Sequence, residues 1–551
     1  MKKLTSMLVA LTLLLAQSVQ AAEGDTVKVA FNGTAATVSI PTTASVRSTV
    51  SGANVTLVSS TTTEEYVYDV SGTTTNGSLV ISGQYKLTLR LNGVSITSQK
   101  GAAIDVECGK RIAVELVGGT TNTLVDVAGG SQKAAFYTTG HPEFSGSGTL
   151  NVTGNTKHGI AAKEYLEIKS STGVINVLSA VGDGIHCGKG KVNNENNYFL
   201  VKGGVVNVAN VGGDCIDSDD YGTITVKGGT LNLNVSALDV VGLKADSTVT
   251  IEGGTVYINV TGQESAGIRG CYACHFNGGN VSIDVQGDGS KGIKGKKQTA
   301  KTVNNGGSVY FSGSEVDILV SGGTVYATDD TTKCMGISVD ADMTHTAGSV
   351  CVLALGDEAY TYNVKGTETL ADGFTASSVP WTFSPYDYQY DMTAYVSLTV
   401  NGAAADYSRY AVGAFVGSEC RGVATFTTQS GHTWGELRIR SNTSTGETVS
   451  FKAYDFVTGE ATDCSETLAF TSLGVAGLPS SPFALSAITA SQTAGDMDGD
   501  GKITLADVKA LTEYYLTDGS YKTVCDVNGD GVLTVGDITA LIEAYQAASA
   551  E

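Results

Sequence analysis

At 551 residues the chain exceeds one ordinary domain, and three or four units are expected. Its formal charge of −21, from 34 basic and 55 acidic residues, argues against nucleic acid or an anionic membrane as partner. Gly is abundant at 69 residues, Pro scarce at 6, and helix-type periodicity is confined to the C-terminal segment, so the reading is an all-β body with a small helical tail.

In chain order, Met1-Lys2-Lys3, an apolar run from Leu8 to Leu15 and the small residues around Ala21 make residues 1–21 a secretory signal. That run is too short to span a bilayer and no second one follows, so no transmembrane segment is expected. The chain should be secreted or held at a cell surface. Residues 22–64 read as an N-terminal β segment or as the cap of a solenoid. Ten cysteines are scattered along the chain. Cys420 and Cys464 fall in one predicted domain and are the expected disulfide.

Self-similarity sets the architecture of residues 65–360. Glycine followed by an alternating strand recurs at Gly173, Gly204, Gly229, Gly254, Gly279, Gly323 and Gly348, and the commonest step is 25 residues. An apolar marker runs in parallel: Ile160, Ile185, Ile216, Leu243, Ile268, Ile293 and Ile337. Short strands at such a period predict a right-handed parallel β-helix, each coil stacking on the last around a Val/Ile core. Length differences between repeats gather after the apolar marker, so insertions collect along one edge, the usual place for binding in repeat proteins.

The residue after each marker forms a second column: Ala161, His186, Asp217, Lys244, Arg269, Lys294 and Ser338. With the markers inward, strand alternation turns this column outward, and coils about 4.8 Å apart would stack Lys244, Arg269 and Lys294 into a cationic ladder with Asp217 beside it. Stacked like charges are unfavourable unless water, salt or an anion relieves them, and a polymer with regularly spaced carboxylates would do so. Side chains splayed into solvent are the bland alternative. At one corner, "GGDCIDSDDYG" gathers Asp214, Asp217, Asp219 and Asp220, either a solvated turn or oxygen ligands for a second hard cation. "CYACH", Cys271 to His275, matches a haem-attachment pattern, but the period places Cys274 and Phe276 on the inward positions of Val249 and Ile251, so a buried thiol is expected instead.

The phrases "LTLRLNGVSITSQKGAAIDVECGKRIAVELVGGTTNTLVD" and "GSGTLNVTGNTKHGI" resemble the first coils of a secreted β-helix family of carbohydrate-binding domains, over roughly residues 65 to 355. The resemblance implies binding of plant polysaccharides, cellulose and pectin-type uronates among them, on an architecture similar to calcium-dependent pectate lyases. A lyase on this scaffold would use a cation held by the acidic corner and Lys244 as base. A ladder spread over several coils suits holding a polymer more than attacking one bond, so noncatalytic binding is the expected role. An adhesin or spacer without a sugar site is the third reading.

Residues 380–487 carry alternating strands with Gly-containing turns and read as a β-sandwich spacer. Beyond them, "DMDGDGKITLAD" and "DVNGDGVLTVGD" each precede an apolar-periodic helix. Their spacing predicts two calcium loops: Asp496, Asp498, Asp500, the Lys502 carbonyl and Asp507, then Asp526, Asn528, Asp530, the Val532 carbonyl and Asp537. With Asp at position 12 and no helix before the first loop, residues 494–547 closely resemble a type I dockerin. The resemblance implies Ca²⁺ and a cohesin partner selected in part by Leu505, Ala506, Val535 and Gly536, which replace a more familiar Ser-Thr pair.

Overall fold

The computed structural model describes residues 26–548 except 131, 189–196, 298–305, 327–330, 356–358, 382–386, 408, 430–431, 489–493, 498–501, 518–522 and 530–531. The signal read at 1–21 lies outside the described residues. They fall into two compact units: residues up to Ala209 with Asp217–Thr230, and Asn210–Ile216 with the chain from Leu231 onward.

The first unit opens with two antiparallel hairpins, Thr26–Asn32 with Ala35–Ser39 and Val46–Ser51 with Ala53–Ser59. Thr26–Asn32 and Ala53–Ser59 then pair in parallel with Val67–Thr74 and Gly77–Ser82. From there the chain winds with three strands per coil. Thr149–Gly154, His158–Ala162 and Leu166–Ile168 pair in parallel with Val174–Ala180, Ile185–Cys187 and Tyr198–Val201 of the next coil. Alternation explains the winding: Leu150 and Val152 are fully buried, as are Ile160 and Ile185, while residues between them face outward. Outward polar groups are satisfied along the stack. Asn151, Asn176 and Asn207 share one register, and each later amide donates to the carboxamide oxygen before it, at 2.8 and 2.7 Å.

The second unit continues the same construction. Leu243, Ile268, Ile293 and Ile337 are register partners on Val241–Ala245, Ala266–Gly270, Lys291–Gly295 and Cys334–Val339, and all four are 0% exposed. At about 1.5–3 kcal/mol per buried aliphatic side chain, this column is a main source of coil-to-coil cohesion. The recurring glycine has a steric cause: Gly279 has φ of 74°, and a Cβ there would lie 2.6 Å from the Gly254 carbonyl oxygen. In the "CYACH" stretch, Cys274, His275 and Phe276 pair with Val249, Thr250 and Ile251. Cys271 and Cys274 are buried, and His275 stacks on Tyr310 at 4.8 Å. That stretch is therefore part of the coil wall.

Strands including Tyr390–Val400, Tyr410–Val416, His432–Ser441, Thr445–Asp455 and Glu460–Thr471 form an antiparallel, sandwich-like body around Val396, Leu398, Leu437, Ile439 and Phe451. The expected Cys420–Cys464 disulfide is not formed; both side chains are thiols. Two strands stand between Glu419–Val423 and Glu460–Thr471 in the sheet order. At about 4.8 Å per step that separation far exceeds the roughly 7 Å limit for a bridge. Helices α1 (Leu505–Thr517) and α2 (Val535–Ala548) close the chain around Leu511, Cys525 and Leu541. No helix among the described residues is long and apolar enough to cross a membrane.

Candidate functional site

Arg269 is the register partner of Lys244 on one side and Lys294 on the other. The three cations are thus adjacent rungs of one column, beside the buried Leu243, Ile268 and Ile293. They are not equivalent. Lys244 Nζ donates to Asp214 Oδ2 at 2.7 Å, and Asp214 Oδ1 accepts the Val241 peptide N–H at 2.8 Å. Arg269 and Lys294 have no ion-pair partner among the described residues, and the buried Arg269 Nε has no hydrogen-bond partner. Two residues before the marker lies Lys291, 8% exposed, its ammonium donating to the carbonyls of Gly289 at 2.7 Å and of Lys333. Burial, then the Lys294 charge, pushes Lys291 down to about 8. Lys294 is also lowered, by burial first and then by Lys296 and Arg269. Arg269, Lys291, Lys294 and Lys296 therefore concentrate positive charge that an anion would relieve.

Asp217 is not exposed as expected of it beside the ladder. It belongs to the first unit, is 4% exposed, and its Oδ2 lies 3.2 Å from His186 Nδ1. Of the four corner carboxylates, Asp217 and Asp219 meet at His186. Asp219 Oδ2 is 4.0 Å from His186 Nε2, Asp220 sits at φ 53° with its carbonyl accepting from Asn197, and Asp214 serves Lys244 in the second unit.

What gathers around His186 instead is a mixed imidazole and carboxylate centre. Asp183 Oδ2 lies 3.1 Å from both His158 Nδ1 and His186 Nδ1, and the two rings stack with centroids 4.5 Å apart. Burial works against a charge on His186, but the bonds to Asp183 and Asp217 prevail and raise it to about 9. Burial chiefly lowers His158. Asp183 is held well below the usual carboxylate range, its burial outweighed by the two imidazoles. His158 and Asp183, absent from the sequence-derived site, do carry a signal: with Asp214 and Lys291 they occupy the position two residues before the apolar marker.

At the C-terminus, Asp496, Asp507 and Asp537 are buried, at 2%, 0% and 0% exposure. Asp507 accepts peptide N–H bonds from Met497 and Thr504, both at 2.8 Å, and Asp537 accepts them from Val527 at 2.9 Å and Thr534 at 2.8 Å. The Thr504 and Thr534 hydroxyls accept in turn from Ala506 and Gly536, so each loop leads directly into a capped helix. Asp498, Asp500 and Asp530 lie outside the described residues. Buried carboxylates in an all-oxygen donor set are what a hard cation requires, so Asp496, Asp507, Asp526, Asn528 and Asp537 fit Ca²⁺. Leu505, Ala506, Val535 and Gly536 are exposed at the helix starts, Leu505 by 62% and Val535 by 58%.

The family described as carbohydrate-binding domain-containing protein matches residues 51–332, half of the chain. The chain belongs to that family. Residues 494–544 match the type I dockerin domain, a class that binds calcium. A member of the carbohydrate-binding domain family from Acetivibrio thermocellus is 28% identical over 116 residues, covering 19% of this chain and 41% of that relative. A solved polysaccharide lyase-like protein from C. thermocellum aligns with 53% of this chain and 96% of its own, at 20% identity and a TM-score of 0.34.

Proposed function

We propose that this carbohydrate-binding domain protein is exported and noncatalytic, holding an acidic plant-type polysaccharide along the Arg269–Lys294 column and docking through its C-terminal helices to a cohesin-bearing assembly. The observation that carries the reading is the in-register pair Arg269 and Lys294, without ion-pair partners among the described residues of a chain whose net charge is −21. Partly exposed cations at coil spacing, without an ion-paired carboxylate among the described residues, match carboxylates repeated along a polymer. Ca²⁺ in the two C-terminal loops would hold α1 and α2 in place for the partner, with Leu505 and Val535 offering apolar contact. An affinity screen against uronans, cellulose and neutral glycans, with and without EDTA, tests it. Retention of uronan lost on Arg269→Ala with Lys294→Ala supports the reading. Silence across all glycans supports a spacer or adhesin instead.

A second reading, polysaccharide lyase, draws on the lowered Lys294, because a lysine closer to neutrality is a better proton acceptor. Lys244, the base expected from sequence, is engaged by Asp214 and is displaced from that role by Lys294. Unsaturated uronide products absorbing in the near ultraviolet, abolished by Lys294→Ala, would establish lyase activity. Uronan bound without product excludes it.

A further inference from the structure

We propose that His158, Asp183, His186 and Asp217 form a binding site for a divalent transition ion of the Zn²⁺ class, with a donor set unlike that of the C-terminal loops. The residues come from three successive coils of the first unit: His158 from one, Asp183 and His186 from the next, Asp217 from the third. Donor atoms of His158, Asp183 and His186 lie within 4.8 Å of one another, and Asp217 adjoins the set at His186. His158 Nδ1 to Asp183 Oδ2, Asp183 Oδ2 to His186 Nδ1, and His186 Nδ1 to Asp217 Oδ2 measure 3.1, 3.1 and 3.2 Å. A tetrahedron with bonds of 2.0–2.1 Å has edges of about 3.3 Å.

Proton count at His158 points the same way. The Asp183 peptide N–H donates to His158 Nδ1 at 3.2 Å, which uses that nitrogen's lone pair and leaves it no hydrogen to offer. Yet the same nitrogen lies 3.1 Å from Asp183 Oδ2, in a setting where His158 is 2% exposed. In that tautomer Nδ1 and Oδ2 are two electron-rich atoms in close contact with no proton between them, a contact that a bound cation would relieve. Asp183 and His186 would be the first ligands, with His158 joining them when its peptide hydrogen bond yields and Asp217 reaching the ion from beside His186. Asp219, with its side chain 32% exposed and 4.0 Å from the His186 ring, marks the side open to solvent.

Donor chemistry assigns the class of ion. Two imidazoles with carboxylates suit Zn²⁺ and its neighbours, whereas Ca²⁺ takes oxygen alone. Bound there, the ion would clamp three coils together.

The competing account is a protonated His186 shared by Asp183 and Asp217 with no metal. Equilibrium dialysis of the full chain against Co²⁺, in excess Ca²⁺ to fill the C-terminal loops, separates the two. The expected result is about one Co²⁺ retained per chain, with visible ligand-field absorption and displacement by Zn²⁺. His186→Asn should weaken retention by at least about 100-fold, since losing even a supporting partner of a ligand costs 10–100-fold. Asp219→Asn should change it little. No Co²⁺ retained above Ca²⁺, or equal retention by His186→Asn, overturns the site. If that variant fails to fold, ¹⁵N spectra of the wild-type histidines, only six in the chain, decide instead. Zn²⁺ must then shift two ring systems at their Nδ1 atoms, and unshifted rings reject the proposal.

Discussion

One position in the repeat, the residue after the apolar marker, carries His186 and Asp217 in the first unit and Lys244, Arg269 and Lys294 in the second. Inside, the units are alike: Ile185 and Ile293 are both 0% exposed. Outside, one column is closed by its own carboxylates, and the other leaves two of its three cations without an ion-paired carboxylate among the described residues. The difference teaches that the inward residues of a coil are constrained by packing, while the outward column is free to take on chemistry without altering the winding.

The likeness inside should survive the harshest test. Ile185→Ala and Ile293→Ala should each lower stability by about 3 kcal/mol, measured as a shifted urea midpoint at unchanged slope. A loss in one unit several-fold smaller than in the other would break the comparison.

The difference outside should appear as binding. Arg269→Ala with Lys294→Ala should weaken uronan affinity by about 100-fold, from two charge-assisted contacts of roughly 1.5 kcal/mol each. His186→Asn should leave that affinity within about twofold. Calorimetry with a soluble polygalacturonate checks both.

Acid–base behaviour should run in opposite directions. His186 is raised to about 9 in the folded chain, so in chelator-treated protein its stabilising effect is full below about 6.5 and is lost as pH rises through 9. Lys291 is lowered to about 8, so the unfolded chain binds the extra proton between about 8 and 10.4 and stability rises with pH across that window. Each change is on the order of 3 kcal/mol. Urea midpoints across pH should lose the first slope in His186→Asn and the second in Lys291→Met.

The smallest effect is expected at Lys244. Because its ammonium is held by Asp214 at 2.7 Å, Lys244→Gln should alter uronan affinity by less than about threefold. A tenfold loss would show that Asp214 releases it to the glycan.

Much of this was legible in the residues. The period of 25 anticipated the register of Leu243, Ile268 and Ile293, the stacking of Arg269 between two lysines, and the burial of Cys274 against haem attachment. Asp217 was misplaced because alternation says which side of a strand a residue takes, not whether a neighbouring coil covers that side. His158 and Asp183 went unseen because they stand 25 residues apart in the chain and meet only when one coil lies on another. The disulfide expectation failed for a related reason: a shared domain does not make two strands adjacent.

The linear chain by itself determined the winding, since glycine and aliphatic residues at a fixed period leave a stacked ribbon as the way to bury the Val/Ile face. It also determined the two acidic repeats that precede the terminal helices. Only the tertiary structure decided which charges are neutralised: whether Lys244 meets Asp214, or His186 meets Asp183, depends on distances of about 3 Å between coils. Electrostatic energy at that range changes within an ångström, and periodicity in sequence carries no such resolution.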